Sequence, residues 1–151
     1  MACGALVCMR VYLDNCCYNR PFDEQTQLKV RLETEAKMEI QTLMRVGAVE
    51  YVWSDMLIGE IADSPYQDRV EKILPWRDGA SVYVSVTEEI ETRAEELMEL
   101  GVKSSDAIHL ACAEQAECDW FFTVDRGILK KVDQIGKMRV ANPLEYVQEE
   151  G

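Results

Sequence analysis

No run of apolar residues in this chain approaches the roughly 18 needed to cross a bilayer as a helix, so a helical membrane anchor is not expected. No repeat, low-complexity tract or Pro/Gly-rich linker interrupts the 151 residues, which include only 8 glycines and 4 prolines. A single domain is therefore expected over residues 9–148. Met1–Cys8 reads as an N-terminal extension, apolar but too short for a signal peptide and with no basic residue before it. Met9 offers an alternative start, and a cytoplasmic location follows as the expectation. There is no C-x-x-C, and the six cysteines keep no regular spacing: Cys16 and Cys17 are adjacent, and Cys112 falls in an apolar helical pattern. That argues for free thiols rather than a disulfide framework. Histidine is scarcer still. The only one, His109, stands one helical turn from Cys112 with Cys118 beyond, which leaves a zinc site as the alternative use of these residues.

Basic residues are also in short supply, 16 Lys and Arg against 28 Asp and Glu, for a net charge of −12. A tight, non-specific nucleic-acid binder would show the opposite balance. The charge is uneven, however. Residues 50–99 carry thirteen acids and four bases, while residues 126–140 carry five bases and one acid. A hydrophobic content of 48% is ordinary for a globular domain.

What is present is an alternation of strand-like and helix-like segments. Arg10-Val-Tyr-Leu-Asp14 is a short apolar run ending in an acid, as a buried strand would be, and a connection containing Asn19-Arg20-Pro21 is expected to follow it. Leu28, Leu32, Ala36, Ile40 and Leu43 recur at helical steps and predict one buried face of a long helix stopped at Gly47. Val49–Trp53 predicts a second strand, and Ser54 can cap a helix carrying Glu60 that stops before Pro65. Tyr66–Trp76 predicts a further helix, and Val82–Val86 a short third strand. Thr87-Glu88-Glu89 opens a helix with its acids at the positive end of the dipole. Ser104 or Ser105 can cap the next, whose Ala107–Ala113 stretch is apolar nearly all round and hence interior. Trp120–Val124 reads as a strand buried on both faces, and Met138–Val140 as an edge strand. The predicted class is α/β, with a parallel sheet covered by helices on both sides.

In open parallel sheets ligands bind beyond the carboxyl ends of the strands. Two predicted strands run into an aspartate there, Asp14 and Asp125. Asp106 falls in a first helical turn, where free backbone N–H groups favour a carboxylate, and Glu60 is long enough to reach the same edge. Clustered carboxylates repel unless a cation lies between them, and oxygen-only ligation suits Mg²⁺ or Mn²⁺. Such an ion can orient a water and stabilise a phosphate under in-line attack. Each acid also has a plainer use. Asp14 and Asp125 suit turns or helix caps, Asp106 suits the helix dipole, and Glu60 suits a solvated helix face, where Asp55 and Asp63 compete with it. His109 reads as a packed or locally hydrogen-bonded residue, although a general base is the other option. Arg126, Lys130 and Lys131 serve equally as phosphate contacts or as a solvated face.

The ordered set Leu13-Asp14-Asn15, Glu60, Ser105-Asp106-Ala107-Ile108-His109-Leu110-Ala111, Phe122-Thr123-Val124-Asp125 and Asn142-Pro143-Leu144-Glu145 resembles PIN-domain proteins, particularly VapC-like toxins. The match runs from about Met9 to Val147, and it implies a three-layer α/β/α fold with a central four- or five-stranded parallel sheet. The resemblance implies a divalent-metal-dependent endoribonuclease, with Asp14, Glu60, Asp106 and Asp125 as catalytic and metal residues and Mg²⁺ or Mn²⁺ as cofactor. It implies an RNA substrate, a cognate antitoxin, commonly a homodimer, and a small hydroxyl at Thr123 supporting the site. Many members place Asn two residues after the first Asp, where this chain has Cys16; Asn15 is the candidate replacement. Two other functions remain open: a non-catalytic interaction module with this fold, and a metal-dependent phosphohydrolase of small phosphoesters.

Overall fold

In a computed structural model, which describes residues 9–150, the chain builds five parallel strands. They are β1 (Arg10–Leu13), β2 (Glu50–Ser54), β3 (Val82–Val84), β4 (Trp120–Phe122) and β5 (Arg139–Ala141), in the spatial order β3-β2-β1-β4-β5. Met1–Cys8, expected to be an extension, lies outside the described residues. Strand β1 is central. It pairs Val11 with Tyr51 of β2 on one side, and Tyr12 and Leu13 with Phe121 and Phe122 of β4 on the other. The chain progresses outward from β1 to β3, then crosses over to β4 and β5. The order therefore reverses between β1 and β4, where a crevice opens beyond the carboxyl ends.

Aromatic and β-branched residues make these short strands stable by being buried on both faces. Tyr12, Leu13, Trp53, Phe121 and Phe122 are fully buried. Tyr12 stacks on its register partner Phe121 at 5.2 Å, and Trp120 on Phe122 at the same separation. Each such ring contributes about 1.5–3 kcal/mol by leaving water.

Nine helices connect and cover the sheet among the described residues: α1 (Asn15–Asn19), α2 (Leu28–Arg45), α3 (Asp55–Ala62), α4 (Gln67–Ile73), α5 (Glu88–Glu99), α6 (Ser104–Gln115), α7 (Arg126–Leu129), α8 (Val132–Ile135) and α9 (Pro143–Glu150). Helices α5 and α6 pack on each other, as do α2 and α9, giving the three-layer α/β/α arrangement. Ser54 caps α3 by accepting from Leu57 N at 3.2 Å, and Thr87 caps α5 by accepting from Ile90 N. Gly101, at φ +98°, takes the left-handed turn that ends α5, so that Val102 N can bond back to Leu97 O.

Four local expectations need correction. Leu28 and Leu32 are 61% and 43% exposed, so the predicted face of α2 is covered only in its later part, at Ala36 and Ile40. The face that is covered carries Glu33, Ala36, Lys37, Ile40, Gln41 and Met44. Partners decide this: Arg20 lies 3.3 Å from Glu33, and Asn142 donates to the same carboxylate. The segment after Asp14 is a helix, α1, rather than a plain connection, because Asp14 caps it through Asn15 N. Neither Ser104 nor Ser105 caps α6, which begins at Ser104 after Lys103 without a side-chain cap. The 66–76 helix is shorter than predicted, with α4 ending at Ile73 and a 3-10 turn running over Leu74–Gly79.

Candidate metal centre

Asp14 follows β1 directly, and its backbone N still donates to Phe122 O at 2.9 Å, so the β1–β4 ladder fixes its position. The residue is 5% exposed. Oδ1 accepts from Asn15 N at 2.8 Å, and Oδ2 accepts from Thr123 Oγ1 at 2.9 Å. The cap role and a site role thus use different faces of one carboxylate. Asp125 likewise caps α7 through Oδ1, which accepts from Gly127 N at 2.7 Å, and its own N–H donates to Thr123 Oγ1. Thr123, fully buried, is the hinge between the two acids.

Glu60 projects from the second half of α3. Its Oε1 meets His109 Nε2 at 2.6 Å, and the same nitrogen lies 3.8 Å from Asp14 Oδ1. Ligand atoms of Asp14, Glu60 and His109 all lie within 4.8 Å of one another, the one metal-capable group of three or more such side chains found among the described residues. Asp106, in the first turn of α6, is half-buried and sits in the field of Asp14, Asp125 and Glu60. The structure therefore brings all four acids to one edge, with Asp14 and Glu60 closest and Asp106 and Asp125 flanking.

The electrostatics follow from crowding in a partly dry setting. Burial pushes the Asp14 carboxyl up, against the pull of His109 and the hydrogen bonds from Thr123 and Cys16. Burial first, then the charges of Asp14 and Asp125, push Asp106 up to about 6. For His109, burial works against the charged ring, but the Glu60 hydrogen bond and the charges of Asp14, Glu60 and Asp106 outweigh it and raise its pKa. Negative charge is in excess here.

Four contributors have contacts at the site that sequence reasoning did not foresee: His109, Cys16, Tyr12 and Ser54. His109 is a hydrogen-bonded core residue, as expected, but its partners are Glu60 and Tyr12, which brings a nitrogen into a donor set anticipated as oxygen alone. The Asp106–His109 spacing, three residues on one helix, was the available signal. Cys16, at the position where an Asn is usual, has its Sγ 3.4 Å from Asp14 Oδ2 and 3.3 Å from Thr123 Oγ1. Asn15 supports Asp14 only through its backbone, since its side-chain oxygen accepts from Asn19 Nδ2. Tyr12 and Ser54 were read only as a strand residue and a helix cap. The zinc grouping does not form: Cys112 and Cys118 are buried free thiols, and no metal-capable group among the described residues includes them.

Size does not locate this site. A concavity of about 690 Å³ lies at the amino ends of the strands, lined by Met9, Cys118, Trp120 and Met138, away from the acids. The chemistry is at the carboxyl edge.

Comparison with known proteins agrees with the architecture. No curated protein matches the sequence significantly. Among solved structures, FitAcB from Neisseria gonorrhoeae superposes with a TM-score of 0.58 at 17% identity, covering 88% of this chain and 97% of that one. VapBC2 from Rickettsia felis, solved bound to a DNA fragment from their promoter, gives 0.54 at 12% identity, covering 87% and 97%. The PIN domain family profile matches residues 51–135, more than half of the chain, a span that includes Glu60, Asp106 and Asp125. With the parallel sheet, its switch point and the acids at the carboxyl edge, that match makes the chain a member of the PIN-domain family.

Proposed function

We propose that this protein is a divalent-metal-dependent endoribonuclease, the toxin of a toxin–antitoxin pair, with Asp14, Glu60, Asp106 and Asp125 holding Mg²⁺ or Mn²⁺. The observation that carries this reading is the gathering of acids at the switch point, where ligand oxygens of Asp14 and Glu60 lie within 4.8 Å of one another and Asp106 stands half-buried in the field of Asp14, Asp125 and Glu60. An oxygen-rich set held on rigid elements fits a hard divalent ion, which would lower the pKa of a bound water and stabilise charge on a phosphate. Asp14 is held by Thr123 and Asn15, and Asp125 by Gly127, so their remaining lone pairs stay aimed at one place. Glu60 reaches in from α3, and Asp106 from the start of α6.

The substrate class follows from what surrounds the acids. Lys103, Arg126 and Lys130 are exposed and form no ion pair with any described residue, although the protein has acids to spare. They lie on the turns that carry Asp106 and Asp125, where cations would meet a polyanion's backbone. The remaining surface repels such a chain, consistent with selective rather than general RNA binding. PIN domains are generally nucleases, and the solved relatives FitAcB and VapBC2 support an antitoxin partner for this chain as well. A homodimer and a cytoplasmic location complete the proposal; among the described residues no helix is long and apolar enough to cross a membrane.

Purified protein incubated with structured RNA and Mn²⁺ or Mg²⁺ should release fragments, and chelator should stop it. Asp14→Asn should be inactive. Turnover of a phosphomonoester without RNA cleavage would favour a small-molecule phosphohydrolase, and failure to bind divalent ions at millimolar concentration would favour a binding module.

A further inference from the structure

Two aromatic residues stand about half in solvent among the described residues, Tyr66 at 54% and Tyr83 at 46% exposure. Tyr83 is engaged, its hydroxyl donating to Asp55 Oδ1 at 2.7 Å. The Tyr66 hydroxyl has no hydrogen-bond partner among the described residues, yet the residue is held in place. Ser64 Oγ accepts from its backbone N–H at 3.2 Å, and its carbonyl accepts from Arg69 N and Val70 N as α4 begins. The Arg69 guanidinium lies over the ring, 4.4 Å from its centroid. Arg69 is fixed in turn by donating to Phe22 O at 2.8 Å, Asn19 Oδ1 at 3.4 Å and Asp23 Oδ1 at 3.3 Å.

The result is a preformed stacking surface. One face of the ring is taken by a planar cation, and the residue still keeps about half its area in solvent. Nucleobases stack on such rings with little regard to sequence, since every base has a π-face. Consecutive hydrogen bonds tie this surface to the acids. Asn15 N donates to Asp14 Oδ1 at 2.8 Å, Asn19 Nδ2 donates to Asn15 Oδ1 at 2.9 Å, and Arg69 Nη1 donates to Asn19 Oδ1. The five residues of α1 that carry this path cover about 7.5 Å of helix axis. A nucleotide whose base lies on Tyr66 is therefore a short stretch of polymer from Asp14.

We infer that Tyr66, braced by Arg69, is a base-stacking residue that sets where along an RNA strand the scissile phosphate meets the four acids. The inference rests on the ribonuclease reading and adds a contact to a base, which the cations Lys103, Arg126 and Lys130 do not supply. Asp23 offsets the charge of Arg69, so the surface works by stacking rather than by drawing in phosphate.

Fluorescence anisotropy in chelator, where nothing is cut, compares a labelled oligoadenylate with a ribose-phosphate strand of the same length that carries no bases. Tyr66→Ala should weaken oligoadenylate binding about 10-fold, the usual scale for losing one base stack, and leave the baseless strand unchanged. The loss should be the same at about 50 and about 200 mM salt, since stacking releases no counterions, and Tyr66→Phe should bind as the wild type does. Equal losses on both strands, or no loss on either, overturn the inference; the second result would leave the surface to a protein partner. A photocrosslink on the unmodified protein decides the question even if Tyr66→Ala unfolds. RNA carrying 5-iodouridine, irradiated in the complex, should join to Tyr66, and a crosslink map that omits Tyr66 overturns the inference. RNA cleavage in Mn²⁺ with kcat/KM unchanged by Tyr66→Ala sinks the stacking role alone. Wild type that neither binds nor cuts RNA sinks the ribonuclease reading and the role of Tyr66 with it.

Discussion

Thr123 Oγ1 donates to Asp14 Oδ2 across 2.9 Å, joining residues 109 positions apart at the one place where neighbouring strands are out of sequence order. The same hydroxyl accepts from Asp125 N at 3.0 Å, so one side chain sets two acids at once.

Thr123→Val keeps the shape and removes both bonds. A buried carboxylate then loses one of its donors, a cost of about 1–3 kcal/mol in stability. The Asp14 carboxyl, already raised by burial, should rise further, since the Thr123 bond is one of the influences holding it down. Divalent-ion affinity should fall about 10- to 100-fold. Urea unfolding and calorimetric titration of the variant check the two effects separately.

Asp106→Asn should stabilise the metal-free protein while abolishing activity. The folded carboxyl takes up its proton at about 6, against an ordinary 3.8, because of burial and its acidic neighbours. A raised folded pKa means that Asp106 favours folding at low pH, and that this contribution fades as pH climbs through the window from about 4 to about 6. At neutral pH the charged group is therefore a liability, tempered by its half-exposure. Removing it should lift Tm by about 2–4 °C in the absence of metal, and added Mn²⁺ should no longer raise Tm. Differential scanning calorimetry with and without the ion reads both outcomes.

Protons and metal compete for the same oxygens. Wild-type affinity for Mn²⁺ should accordingly climb with pH up to the Asp106 value of about 6, by up to about tenfold per pH unit for each proton displaced, and then flatten. A titration series from acid to neutral pH would show the bend. A flat profile would place the ion elsewhere.

Lys37 makes a stability prediction far from the acids. It is 4% exposed, its Nζ lies 5.7 Å from the Tyr18 ring centroid, and burial pushes its pKa down to about 8. A base with a lowered folded pKa destabilises below that value, and stability recovers as pH rises from about 8 toward its ordinary 10.5. Lys37→Met, similar in volume and uncharged, should gain about 1–3 kcal/mol at neutral pH and lose this alkaline recovery. Denaturant melts at neutral and alkaline pH separate the two.

The strands and three of the acids were legible because their signals are local. Arg10–Asp14 and Trp120–Asp125 each combine an apolar run with a terminal acid, and a parallel sheet sends both ends to one edge. Asp106 was legible from its place in a first helical turn. Glu60 was less so: nothing near it in the chain distinguishes it from Asp55, which the fold uses instead to accept from Tyr83 and Val86. The Tyr12–His109–Glu60 chain could not be read from the sequence at all, because its residues are 97 and 49 positions apart and meet only through packing. The exposure of Leu28 and Leu32 was hidden for the converse reason. Helical periodicity names an apolar face, but not whether a partner reaches it.

The most direct measurement is RNA cleavage by wild type and Asp106→Asn, each titrated with Mn²⁺ while bound metal is followed in the same samples. Bound ion and strand scission should rise together in the wild type, and both should be absent from the variant over the same range. Scission by the variant equal to that of the wild type, or cutting that persists once all divalent ions are stripped away, would contradict the account.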